Sequence, residues 1–115
     1  MKRVALAFVL PLVVVGCGST EKVSDKPETS VRIVIKDGKA TPQGKRVEAK
    51  VGHPITLHVT SDRDDEVHVH SEPEHEFKVP AGAKDKTFTF SIDTPGQVAV
   101  ESHTLDVTIV QLVVR

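Results

Sequence analysis

Residues 31–115 predict an all-β fold, an antiparallel sandwich or barrel. Apolar residues alternate with polar ones in several short runs, the period-2 pattern of half-buried strands. Gly, Pro and Asp turn signals separate the runs, and no stretch of this part of the chain sustains a 3.6-residue apolar period. Valine carries most of the burial. The chain has four Phe and no Trp or Tyr, and enrichment in β-branched residues favours strands.

Val31, Ile33 and Ile35 alternate with Arg32 and Lys36, and Asp37-Gly38 closes that run with a tight-turn signal. Val47, Ala49 and Val51 form a second run before Gly52, and Ile55, Leu57 and Val59 a third. Val67 and Val69 alternate with His68 and His70. A short piece around Phe77 and Val79 ends at Pro80-Ala81-Gly82, and Phe88, Phe90 and Ile92 lead into Thr94-Pro95-Gly96. Val98 and Val100 run to Ser102-His103. The last run, Val107 to Val114, has apolar residues on both faces, as in a central strand covered on both sides. A seven- or eight-strand sandwich is the expectation.

Ahead of this domain, Lys2 and Arg3 precede an apolar run from Val4 to Val15, and Gly16 stands before Cys17, the only cysteine. The run is too short for a bilayer core, which needs about 20 apolar residues, but fits the h-region of a secretory signal. Val14-Val15-Gly16-Cys17 resembles the bacterial lipobox, which implies cleavage before Cys17 and lipid on its sulfur. Residues 1–16 are then a lipoprotein signal peptide and residues 17–30 the lipidated cysteine with a polar, flexible tether. Residues 31–115 form the folded domain. The expected location is the extracytoplasmic face of the cell membrane.

Loss of Lys2 and Arg3 from 15 basic and 16 acidic residues leaves 13 against 16, a net charge of about −3 with neutral histidines. That balance argues against nucleic acid as a partner, which requires a basic face. With Cys17 lipidated, no disulfide can form.

The order of elements resembles a small cupredoxin-type Greek-key β-sandwich, as found in exported bacterial lipoproteins with a Glu-Val/Leu-His-Val-His segment. Val31 to Lys39, Thr41-Pro42, Val47 to Gly52 and Ile55 to Asp62 carry the likeness. Asp65-Glu-Val-His-Val-His70, Phe88-Thr-Phe90, Pro95-Gly96 and Val98 to His103 complete it. The resemblance implies a copper-protein fold, yet it places the blue-copper thiolate at about Ser102, and the only methionine is Met1. A blue-copper centre needs a thiolate and usually a weak axial Met, so that electron-transfer chemistry is excluded.

His68 and His70 sit two residues apart on a strand, on one face and about 6.6–6.8 Å apart along the chain, a spacing that lets two imidazoles approach one ion. Residues 61–77 contain seven acidic residues against Arg63 alone, a setting that attracts cations and raises histidine pKa values. The resemblance brings His103 to the same loops as a third ligand, with His75 or a nearby carboxylate as a further candidate. Imidazole and carboxylate suit Cu(II) or Zn(II). The alternative is a metal-free structural or protein-interaction domain in which His68 and His70 are exposed strand positions and His103 is a turn residue. Clustered histidines also allow a pH-responsive surface. His58 is expected to be solvated, His53 to belong to a turn, and the acidic run Asp62 to Glu66 to be solvated loop charge. Ser102 and His103 are neighbours on a strand and so point to opposite faces, and no Gly-x-Ser-x-Gly elbow is present. A non-enzymatic binding module is the expected role.

Overall fold

The structure, a computed structural model, describes residues 26–115, and every regular element among them is a strand. The expected signal segment 1–16, the lipidation site Cys17 and the tether through residue 25 lie outside the described residues. Nine strands follow in order: β1 (Thr29–Lys36), β2 (Lys39–Thr41), β3 (Lys45–Ala49), β4 (Ile55–Ser61), β5 (Asp65–Val69), β6 (His75–Val79), β7 (Ala83–Phe90), β8 (Gly96–Ser102) and β9 (Val107–Val114). They form a four-stranded sheet, β2-β1-β4-β7, and a five-stranded sheet, β3-β9-β8-β5-β6.

The sandwich is as predicted, but its sheets are mixed rather than purely antiparallel. β1 runs parallel to β4 over Thr29–Ile35, and β3 runs parallel to β9 over its whole length. Parallel neighbours require a crossover connection, and the chain supplies it by leaving β1, visiting β3 in the other sheet, and returning to β4. Alternation of apolar and polar residues is the same in both pairings, so the sequence pattern does not distinguish them.

Three boundaries also differ from the pattern. β1 begins at Thr29, whose N–H donates to Pro54 O at 2.9 Å, two residues before the expected domain start. β2 is too short to show alternation, and Ala40 is its one inward residue. β7 starts at Ala83 and ends at Phe90, leaving Ile92 buried in the following connection.

Between the sheets lies an aliphatic core. Ile33, Ile55, Leu57, Val59, Val67, Val69, Val100, Ile109, Val110 and Leu112 are all fully buried. The apolar run of β9 has two causes. β9 lies between β3 and β8, and the β8–β9 register slips so that Val100 faces Val110 while Glu101 faces Thr108. Ile109 is therefore a bulge residue, which interrupts the alternation and lets two successive residues be buried.

The Asp37-Gly38 turn forms as expected, with φ of 53° and 72°. Two successive positive φ values match the right-handed twist of the β1–β2 hairpin. Asp tolerates that region, whereas a β-branched residue does not. Gly38→Val is therefore expected to cost about 1–2 kcal/mol, read as a lower urea midpoint with an unchanged slope.

Candidate metal centre

Alternation along β5 sorts its side chains cleanly. Asp65, Val67 and Val69 turn inward, Glu66 and His68 turn to the outer face of the five-stranded sheet, and His70, the residue after the strand, is exposed. His68 is in register with Glu76 of β6 on one side and Glu101 of β8 on the other. Immediately after β8, the His103 N–H donates to Glu66 O at 2.9 Å, which sets His103 beside β5.

The three histidines singled out from the sequence thus share one face. The His68 and His103 rings are stacked, with centroids 5.1 Å apart and planes at 16°. The His68 and His70 centroids are 6.0 Å apart with planes at 58°. His68 Nε2 lies 2.5 Å from Glu66 Oε1. His70 is held at both nitrogens, Nε2 at 2.8 Å from Glu101 Oε2 and Nδ1 at 3.4 Å from Glu74 Oε1. The hydrogen bond to Glu101 is the main cause that raises the His70 pKa above its ordinary value. Slight burial opposes the rise, and the charges of Glu101 and Glu74 reinforce it.

The donor atoms that converge are a different set. Among the described residues, single ligand atoms of Glu66, His68 and Glu76 lie within 4.8 Å of one another. Of the sequence-predicted trio, His68 belongs to this group, and His70 and His103 stand beside it. Glu66 was legible as the residue two before His68 on the same strand face. Glu76 was not, because only the β5–β6 pairing brings it alongside.

The remaining histidines lie elsewhere. His75 faces inward at the β6–β7 seam, stacked on Phe77 at 5.7 Å and tilted against Phe90 at 5.2 Å. His58 Nδ1 is 3.2 Å from Asp85 on the other sheet. His53 Nδ1 contacts Pro27 O at 3.2 Å in its turn.

Asp65 departs from the expectation of solvated loop charge, since it is only 6% exposed. Its Oδ2 accepts a hydrogen bond from Ser102 Oγ at 2.5 Å, and its Oδ1 accepts from the N–H groups of Thr104 (3.0 Å) and Glu66 (2.7 Å). Ser102 Oγ in turn accepts from Leu105 N–H at 3.2 Å. Asp65 continues the inward alternation of Val67 and Val69, which is the signal that marks it as buried. At the position where a blue-copper thiolate is expected, the structure therefore has a buried hydroxyl bound to a carboxylate. The described residues contain no cysteine or methionine, so they do not fit a blue-copper centre.

The chain matches no family model, and no curated protein matches it. Solved structures do. A Cu(I) amicyanin point mutant is similar over 75% of this chain and 82% of its own, with 18% identity and a TM-score of 0.51. An oxidised amicyanin point mutant is similar over 82% and 87%, with 17% identity and a TM-score of 0.52. Dithionite-reduced auracyanin from Roseiflexus castenholzii is similar over 76% and 97%, with 11% identity and a TM-score of 0.55. The fold is cupredoxin-like. At these identities the likeness extends to the fold alone, because function resides in the site.

Proposed function

We propose that this chain is an exported lipoprotein, cut before Cys17 and held by lipid on that cysteine at the outer side of the cell membrane. Its cupredoxin-like domain acts there as a non-enzymatic module that binds Cu(II) or Zn(II) on the His/Glu face. The observation that carries the metal reading is the convergence of His68 with two carboxylates within 4.8 Å, beside His70 and His103. Imidazole and carboxylate together suit both ions, and Cu(II) stands highest in the divalent affinity order.

A metal-free protein-interaction face has an observation of its own. Glu66 already pairs with His68, and Glu101 with His70, so these side chains have hydrogen-bond partners without an ion. Calorimetry of the full chain in detergent with Cu²⁺ and Zn²⁺ separates the two readings. His68→Ala is expected to weaken binding more than about tenfold, since even loss of a ligand's outer partner costs 10–100-fold. Equal weak binding by wild type and variant supports the metal-free face. Mass measurement of the membrane-extracted protein tests the anchor, with a diacylglyceryl adduct on Cys17 expected and an unmodified thiol overturning it.

A further inference from the structure

We infer that the ion on this face is coordinated by Glu66, His68 and Glu76, with His70 and His103 outside the coordination sphere and one position open to a ligand from outside. This rests on the metal reading above and specifies its ligands.

Tetrahedral Zn(II) with bonds of about 2.0–2.2 Å places its donors about 3.4 Å apart. The Glu66, His68 and Glu76 donors lie within 4.8 Å of one another, and Glu66 Oε1 touches His68 Nε2 at 2.5 Å, so rotations about the glutamate side chains bring all three to that spacing around an ion. All three project from paired strands, β5 and β6, in fixed register. Two carboxylates and one imidazole give the site a charge of −2, which a divalent ion neutralises.

The two other histidines are committed differently. Both nitrogens of His70 are held by carboxylates outside the three-donor group, Glu74 and Glu101, whereas the partner of His68 is Glu66, itself a member of that group. His103 is stacked face to face on His68. Ring lone pairs lie in the ring plane, so two nearly parallel rings 5.1 Å apart direct them into separate planes that do not meet at a shared ion near the rings.

The open position follows from exposure. The side chains of His68 and Glu66 are 20% and 29% exposed, and Glu76 is exposed on β6, the outer strand of its sheet. Protein therefore supplies donors from one side only, as in zinc sites that keep a position for water or substrate. With no thiolate or thioether, the donor set favours Cu(II) and Zn(II) over Cu(I), which prefers soft sulfur ligands. The outside ligand is of the imidazole or carboxylate class.

Calorimetry and Cu(II) electron paramagnetic resonance on the full chain in detergent test this. Glu66→Gln and Glu76→Gln are each expected to weaken Cu²⁺ and Zn²⁺ binding more than about tenfold, while His70→Ala and His103→Ala stay close to wild type. Added free imidazole should change the nitrogen hyperfine pattern of bound Cu(II) without stripping the metal. Thermal melts of the metal-free variants, matching wild type, separate a lost ligand from a lost fold. If His70→Ala or His103→Ala abolishes binding while the two glutamine variants do not, the ligand set is overturned and metal binding survives. An unchanged Cu(II) spectrum with imidazole overturns the open position. If the wild-type chain takes up neither metal, the metal reading itself falls.

Discussion

Asp65→Ala is expected to lower the unfolding free energy by about 3 kcal/mol, roughly the net value of two hydrogen bonds to a charged acceptor. The substitution removes the acceptor for Ser102 Oγ, Thr104 N–H and Glu66 N–H together. Ser102 is 1% exposed, so water cannot replace the lost partner without opening the structure. In a domain of this size the melting temperature should fall by more than about 12 °C. Asp65→Asn retains one carbonyl oxygen for the two backbone donors and should lose less, about 1 kcal/mol. Equal losses in the two variants would show that the network contributes through shape rather than through charge.

The same carboxylate gives the fold an acid limit. Burial pushes the Asp65 pKa up, but hydrogen bonds from Ser102, Thr104 and Glu66 outweigh it and hold the value below the ordinary 3.8. A depressed folded value means that the stabilisation is present above the unfolded pKa and is lost as the pH falls through the folded one. Urea midpoints of wild type and Asp65→Ala should therefore differ by a constant amount at neutral pH and converge as the pH drops below about 4.

Leu57→Ala should cost a comparable or larger amount, about 3–4 kcal/mol, from lost transfer energy and the cavity left behind. Leu57 is fully buried in the middle of β4, with β1 on one side at Val31 and β7 on the other at Phe88. Pairing on both sides leaves the backbone little room to collapse into the void. Val34→Ala, on the outer face of β1 and only half-buried, is the contrasting control, expected to cost well under 1 kcal/mol. Chemical denaturation of the two variants checks the difference.

Residues that alternate regularly disclosed most of the strands. Val31, Ile33 and Ile35, or Ile55, Leu57 and Val59, need only their period to show which face is buried. Partner choice lay beyond that signal. Thr29 to Ile35 runs parallel to β4 because of where β3 goes, and no residue within β1 records it. The face of the candidate site was legible for a similar reason. His68 and His70 repeat at the strand period, but Glu76 and Glu101 reach His68 only across the β5–β6 and β5–β8 pairings. Asp65 was misread as loop charge because its type outweighed its place in the alternation.

The two parallel pairs also fix at which end of the sandwich the chain enters relative to the site. Thr29 opens β1 next to Pro54, and β9 finishes at that same end, where Val51 N–H donates to Arg115 O. Asp65 and His103 lie at the far end, roughly a strand length of about 25 Å away. On the proposed anchoring, residues 17–28 extend at most about 40 Å. The proposed attachment would then enter the domain at the end opposite Asp65 and His103, which leaves that end free of the tether.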